Sequence, residues 1–435
     1  MAYIHNMSGE CMKSELDLFA VPYTQTSIEK NIYVEVPPLS AISDTGPLEF
    51  FIAGNGEDYI DLNNTLLYLR CKITRADGTN LAQADNVGLI NYPLATIFSQ
   101  VDVSLGDRLV SQSSNTYPYR SVMECLLNYG NETLSNQFTA GLFYKDTSGH
   151  MEDTNTEGNN TGLKNRALYT AESKTFEMLG HIHADMFFQE RLLINGVDIK
   201  IKMVRGKDEF CLMTADAHQY KLKMVSASLF VKKVSVSPAV KLGHAQALLT
   251  TNIKYPIDRV SMKTFSLAAG SRVCNQENLF LGQLPKTVII GLVDNDAFTG
   301  VYNKNPFNFQ HYNAEFVAMY VDGQQFPAKP FQPDYQNSSA IREFYSLILA
   351  TGRHLKDQPL LINRQEYTSG YTLYAFNLSP DEGCSQHLSL IKTGNMRLEM
   401  RFRNALPRTV NMVVYACFDN IIEVNQRRNV LYDYY

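Results

Sequence analysis

What most constrains this chain is that it states one arrangement twice. Within 435 residues, two strand-like runs open with threonine, TLLYLRCKI from Thr65 and TVIIGLVDN from Thr287. Fifty-five positions after each comes an eleven-residue segment, RSVMECLLNYG from Arg120 and REFYSLILATG from Arg342. Both pairs therefore lie 222 positions apart (287 − 65 and 342 − 120). Each eleven-residue segment runs from Arg through an apolar stripe at helical spacing to a closing Gly, which predicts a short helix of about three turns with glycine at its C′ position. A hairpin with a central glycine precedes each helix, VSLGD around Gly106 and YVDGQ around Gly323.

The order continues downstream. In 197–203 the residues Val197, Ile199, Ile201 and Met203 are apolar while Asp198, Lys200 and Lys202 are charged. That period of two puts one face of a strand in a core and the other in water. The stretch 396–402 repeats it, with Met396, Leu398, Met400 and Phe402 set against Arg397, Glu399 and Arg401. KMVSASLFVKKVSV from Lys223 then matches NMVVYACFDNIIEV from Asn411, aligning Met224 with Met412 and Phe230 with Phe418. The helix-to-strand interval is longer in the first copy, and the excess falls in the polar stretch KDTSGHMEDTNTEGNNTGLKNR, 145–166, which is expected to be an outward surface loop.

These landmarks predict an all-β fold of two tandem jelly rolls, each an eight-stranded antiparallel sandwich with a short inserted helix. The expected division is an N-terminal arm at 1–32, a first jelly roll at 33–237 carrying the 145–166 insertion, a linker helix at 238–251 (PAVKLGHAQALLTT), a second jelly roll at 252–424 and a tail at 425–435. Composition agrees. Tyr (25) and Phe (23) are plentiful and Trp is absent, a mixture suited to pleated, half-buried surfaces.

Charge narrows the function classes. A formal net charge of −5, with basic residues no denser than Lys232-Lys233 and Arg427-Arg428, argues against direct nucleic-acid binding, which needs clustered Lys and Arg. Cysteines 11, 71, 125, 211, 274, 384 and 417 are scattered without a close pair, as expected of reduced thiols. No signal-peptide pattern and no apolar run of about 18 residues is present, so neither secretion nor a transmembrane segment is expected.

Several blocks carry a family resemblance: SELDLFAVPYTQTSIEK (14–30), PLEFFIAGNGEDYIDLNNTLLYLRCKIT (47–74), SQVDVSLGDRLVSQSSNTYPYRSVMECLLNYG (99–130), QERLLINGVDIKIKMVR (189–205) and FDNIIEV (418–424). Together they span nearly the whole chain, which resembles the hexon-like major capsid proteins of the Polinton/Maverick and adintovirus group. The resemblance implies a structural, non-enzymatic protein of the virion capsid. It implies subunits that form homotrimers of pseudo-hexagonal outline and meet neighbouring capsomers and minor, penton-type proteins in an icosahedral shell, after assembly in the host cytoplasm or nucleus. Large trimer contacts and weaker, repeated capsomer contacts are expected, with both termini as candidate locking arms. Because jelly rolls also serve lectins, a carbohydrate-binding or attachment protein is the alternative, and a cupin-like metal enzyme a third class.

Candidate chemistry is sparse. His181, His183 and Asp185 would share one side of a strand and could hold a metal, but ordinary packing or surface histidines are the reading adopted. Asp153, Asn155, Glu157 and Gly158 mimic the start of a calcium loop, yet Lys164 stands where the bidentate Glu belongs. Asp294-Asn295-Asp296 fails sooner, at Phe298. Cys71 and Cys125 sit in apolar patterns and read as core, and Tyr117-Pro118-Tyr119 as packing beneath the following helix. No phosphate loop, nucleophile elbow or CxxC pair occurs. No catalytic, cofactor-binding or metal residue is therefore assigned, and no cofactor is expected.

Overall fold

A computed structural model describes residues 4–44, 46–113, 115–354, 357, 359–380 and 387–432. Its first half supplies β1 (Ile28–Val36), β2 (Leu48–Ile52), β3 (Tyr59–Arg75), β4 (Val87–Leu89), β5 (Phe98–Leu105), β6 (Arg108–Ser111), β7 (Phe176–Gly180), β8 (Ile199–Arg205), β9 (Leu212–Thr214) and β10 (Tyr220–Val236). The second half supplies β11 (Ile253–Leu267), β12 (Val273–Gln276), β13 (Leu281–Gln283), β14 (Thr287–Asp294), β15 (Ala314–Val321), β16 (Gln324–Phe331), β17 (Leu373–Asn377), β18 (Thr393–Phe402), β19 (Val410–Val424) and β20 (Val430–Leu431). The helix Pro238–Ala247, with proline in its first turn, joins the halves.

The sheets are ordered β1-β10-β3-β7 and β2-β8-β5-β6 in the first half, and β11-β19-β14-β17 and β12-β18-β15-β16 in the second. Counting only these eight strands in each half, both halves read first-eighth-third-sixth and second-seventh-fourth-fifth. That is one jelly roll built twice, as the repeat predicted. The period-two strands behave as expected. Ile199, Ile201 and Met203 of β8 are buried while Lys200 and Lys202 are exposed, and Ile201 lies opposite Phe50 on one side and Val103 on the other. The hairpins β5–β6 and β15–β16 turn at Gly106 (φ +56°) and Gly323 (φ +81°), where a side chain would be strained.

The repeat is topological rather than residue for residue. In β3 the buried, core-facing residues are Leu67, Leu69 and Cys71, whereas in β14 they are Val288, Ile290 and Leu292. Positions 67 and 289, which are 222 apart, thus face opposite sides, because a slip of one residue flips every side chain of a strand. Met224 and Met412 both point into their cores. Phe418 does so as well, but Phe230 points outward, because the pairing of β10 with β3 shifts between Met224 and Ser226.

Both inserted helices form, at Tyr117–Asn128 and Ile341–Ala350. Gly352 follows the second with φ +64°, the expected C′ role. Gly130 does not: at φ −79° it caps the short helix Asn131–Ser135 instead. Two terminal expectations also change. Residues 28–32, read as arm, belong to β1 and pair with the far end of β10. Part of the expected tail is tied down, since Val430 and Leu431 pair with Val424 and Glu423 and Tyr432 is buried. Residues 1–3 and 433–435, and Cys384, lie outside the described residues.

The largest departure concerns 145–166. Its polar composition predicted an outward loop, but Asp146, Met151, Asn160, Leu163 and Arg166 are all buried. Arg166 donates to Asp146 Oδ1 at 2.6 Å and to the Leu89 carbonyl at 2.8 Å. From the second sandwich, Asn305 Nδ2 donates to Asp146 Oδ2 at 3.0 Å and Tyr371 donates its hydroxyl proton to the Asp146 carbonyl at 2.7 Å. The segment is thus divided: its ends are anchored by the buried Asp146–Arg166 pair, while His150, Glu152, Asn155, Glu157 and Asn159 between them face water.

Candidate functional site

The most extensive buried geometry among the described residues lies where the two sandwiches meet. The inner faces of β14 and β19 build the core of the second sandwich through Val288, Ile290, Leu292, Met412, Val414, Ala416 and Phe418. Their outer faces, Ile289, Val293, Val413, Tyr415 and Cys417, belong instead to the cluster formed by the first sandwich. A sheet with both faces apolar reads as a continuous hydrophobic run, which is what TVIIGLV and VVYACF are.

The helix Tyr117–Asn128 fills this junction, and every residue from Tyr117 to Leu127 is buried. Tyr119 stacks on Phe298 at 5.4 Å between ring centroids and meets Phe307 edge-on at 5.7 Å. Tyr117 accepts a hydrogen bond from the His183 amide at 3.0 Å. The Tyr-Pro-Tyr stretch is therefore the packed first turn of the helix.

One turn further on is a buried ionic network. Arg120 Nε meets Glu124 Oε1 at 2.9 Å, and Arg120 Nη2 meets Asp185 Oδ1 at 2.7 Å. His183 Nδ1 lies 2.7 Å from the other Glu124 oxygen. Asp185 also accepts from the Val260 amide of β11 at 3.3 Å, so the network crosses into the second sandwich. Burial pushes the Asp185 carboxyl above its ordinary range, against the pull of Arg120. At Glu124 burial acts in the same sense, but Arg120 and His183 overcome it and hold the carboxyl low.

The residues singled out as candidate ligands are thus dispersed in structural roles. His183 faces Glu124 and the Tyr92 hydroxyl (3.2 Å) rather than His181, and residues 181–184 are not a strand. Among the described residues, no three His, Cys, Asp or Glu side chains gather as a metal site. Cys125 Sγ is 4.0 Å from His183 Nε2, a pairing reminiscent of a nucleophile and base. Both residues are sealed from solvent, and burial pushes the Cys125 thiol up, away from the reactive thiolate. Cys71 is pushed up to about 12 by the same cause. The calcium-loop mimic is a turn in which Asp153 accepts from the Asn155 and Asn159 amides, and Lys164 pairs with Glu157 at 2.7 Å. Asp294 caps the helix Asn295–Thr299 and binds Lys304 and Arg408, each at 2.7 Å. Sequence reasoning missed Arg120, Glu124, Asp146 and Arg166 as a set, since each sits in an otherwise ordinary pattern.

Two buried histidines give the fold a pH dependence, His311 above all. His311 stacks on Tyr335 with ring centroids 3.9 Å apart, and its Nδ1 accepts from the Asn313 amide at 2.9 Å. Burial lowers its pKa from 6.5 to about 4. The folded protein therefore keeps this ring neutral while the unfolded chain protonates it near 6.5, so stability is full above pH 6.5 and declines as pH falls toward 4. His181, also lowered by burial, acts in the same direction. Thermal midpoints measured from pH 7.5 to 4.5 should fall, and His311→Gln should flatten the decline. An unchanged slope in the variant would rule His311 out as a source.

No family model matches the sequence. An uncharacterised protein of Caenorhabditis elegans is 25% identical over 429 residues, covering 95% of this chain and 99% of that one. Among solved structures, the Sputnik virophage structure aligns with a TM-score of 0.65 at 12% identity, over 99% of this chain and 94% of that one. A chain of the PBCV-1 virus capsid aligns at 0.61 and 11% identity (96% and 100%), and the mavirus major capsid protein at 0.55 and 12% (100% and 97%). The chain thus has the fold of double jelly-roll viral major capsid proteins, from end to end.

Proposed function

We infer that this chain is a major capsid protein whose trimers tile an icosahedral viral shell. The observation that carries the reading is the repetition of one strand order in two sandwiches joined by a buried junction. Three such subunits present six similar sandwiches, and so approximate a hexagon with only threefold symmetry. The whole-length likeness to capsid structures supports this role. So does the inward use of the chemistry-bearing residues, as expected of a structural subunit rather than an enzyme. The sequence blocks that resemble the Polinton/Maverick and adintovirus group support reading the shell as that of a DNA virus or virus-like transposon. Neighbouring capsomers and minor vertex proteins are its partners. The chain itself, at net charge −5, leaves neutralisation of the genome to others.

Light scattering after size exclusion tests the reading. The expected mass is near three times the 49.2 kDa of one chain, or that of large shells visible by negative-stain microscopy. A species that stays monomeric across concentration and salt would overturn it.

A further inference from the structure

Each copy of this chain contains one filled junction and the two unfilled halves of another. In the filled one, the segment between β6 and β7 carries its helix Tyr117–Asn128 into the apolar cluster that also takes in the outer face of β14 and β19, with Tyr119 stacked on Phe298 of the second sandwich. The second sandwich has the topologically equivalent helix, Ile341–Ala350, between β16 and β17. One side of it is buried through Glu343 and Leu347. The other presents Ile341, Tyr345 and Leu349 at four-residue spacing, 45%, 46% and 38% exposed, a stripe with the pattern of a docking face.

The missing receptor is also present. The outer face of β3 and β10 is the counterpart of the covered face of β14 and β19. Register puts Phe230 beside Leu66, and Tyr68 beside Leu179 of β7. The rings of Tyr68 and Phe230 meet edge-on at 6.0 Å. Leu179 is exposed, and Leu66, Tyr68 and Phe230 are only half-buried. Around this apolar centre lie polar pairs, Arg70 with Glu177 and Ser228 with Glu35, the arrangement of an interface core and rim.

We propose that these halves join between copies: the helix Ile341–Ala350 of one copy docks on the outer β3–β10 face of the next. The occupant is a second copy because every copy offers one stripe and one face, and because the chain already buries the equivalent helix and the equivalent face in one cluster within itself. Such a contact is head-to-tail, so each copy uses one half on each side and a ring results when the rotation closes. This rests on the capsid reading and adds which surfaces its subunits use.

Cross-linking separates the possibilities. Leu349→Cys and Leu179→Cys, each in a background with Cys11 and Cys384 replaced by serine, are co-expressed or expressed alone and treated with a short bismaleimide. Linked dimers are expected from the mixture and from neither variant alone. Linking of Leu349→Cys to itself would mean a symmetric contact and overturn the proposal. In parallel, Tyr345→Glu/Leu349→Glu, and separately Phe230→Glu, are expected to lower the mass from three chains to one. Unchanged far-UV circular dichroism and urea midpoint would show that the fold survives. If the wild type is trimeric but these variants stay trimeric and the mixture does not link, the proposal fails while the capsid reading stands. A monomeric wild type removes both.

Discussion

Arg120→Met should destabilise the protein by about 3–5 kcal/mol, the cost typical of stripping one partner from a buried ion pair. The guanidinium is 1% exposed and is the only cation within hydrogen-bond reach of Asp185 among the described residues. Without it, among the described residues, Asp185 keeps only the Val260 amide, and Glu124 keeps only His183. Methionine fills much of the same volume, so the loss reports on charge more than on a cavity. Asp185, already pushed upward in pKa by burial, would take up a proton in the variant, and the loss should therefore shrink as pH falls. A urea series measures this, with Arg70→Met as control, since the Arg70–Glu177 pair is exposed and worth at most about 1 kcal/mol. A change at Arg120 no larger than at Arg70 would show that the network contributes little. Arg120→Met/Asp185→Leu should recover part of the loss, because a buried pair can often be exchanged for apolar side chains at little cost.

The fold was legible because its signals were local or repeated. Alternation in 197–203 reports a half-buried strand wherever the partner strand lies, and two helices at equal spacing report topology without any contact being known. Residue-level equivalence was less legible. Aligning Thr65 with Thr287 pairs Leu67 with Ile289, which face opposite sides, and nothing in a single strand announces the slip near Val225. Least legible was the junction. Arg120 opens an apolar helical stripe, as a solvated arginine would. Arg342, its counterpart, is in fact exposed and binds the Lys329 and Pro330 carbonyls. What distinguishes the two arginines is Glu124 one turn on, where Arg342 has Ser346, and Asp185, 65 positions away, which also accepts from the Val260 amide of the second sandwich.

The same difficulty made all of 145–166 look solvent-facing, and a second substitution measures how firmly this loop and the start of the helix Thr161–Thr170 are tied down. Asp146→Ala should cost about 3–5 kcal/mol, since it leaves Arg166, 0% exposed, with no counter-charge among the described residues. It also removes an acceptor from Asn305 of the second sandwich. Asn305→Ala should cost less, about 1–3 kcal/mol, because the carboxylate keeps its cation. Lys164→Ala, in the same segment but in an exposed pair with Glu157, should change stability by no more than about 1 kcal/mol. That ordering, read from urea midpoints, is the signature of a strut; a surface loop would give three small values. Because Asp146 and Lys145 reach Asn305, Tyr371 and Glu366 in the second sandwich, cleavage within 145–166 by a dilute protease should follow global unfolding rather than precede it. Asp146→Ala should then make the segment cleavable under conditions where both sandwiches remain folded. Early cleavage in the wild type would mean that these contacts do not hold the segment. Late cleavage in both proteins would place the stability of the segment elsewhere, in the packing of Met151 and Leu163.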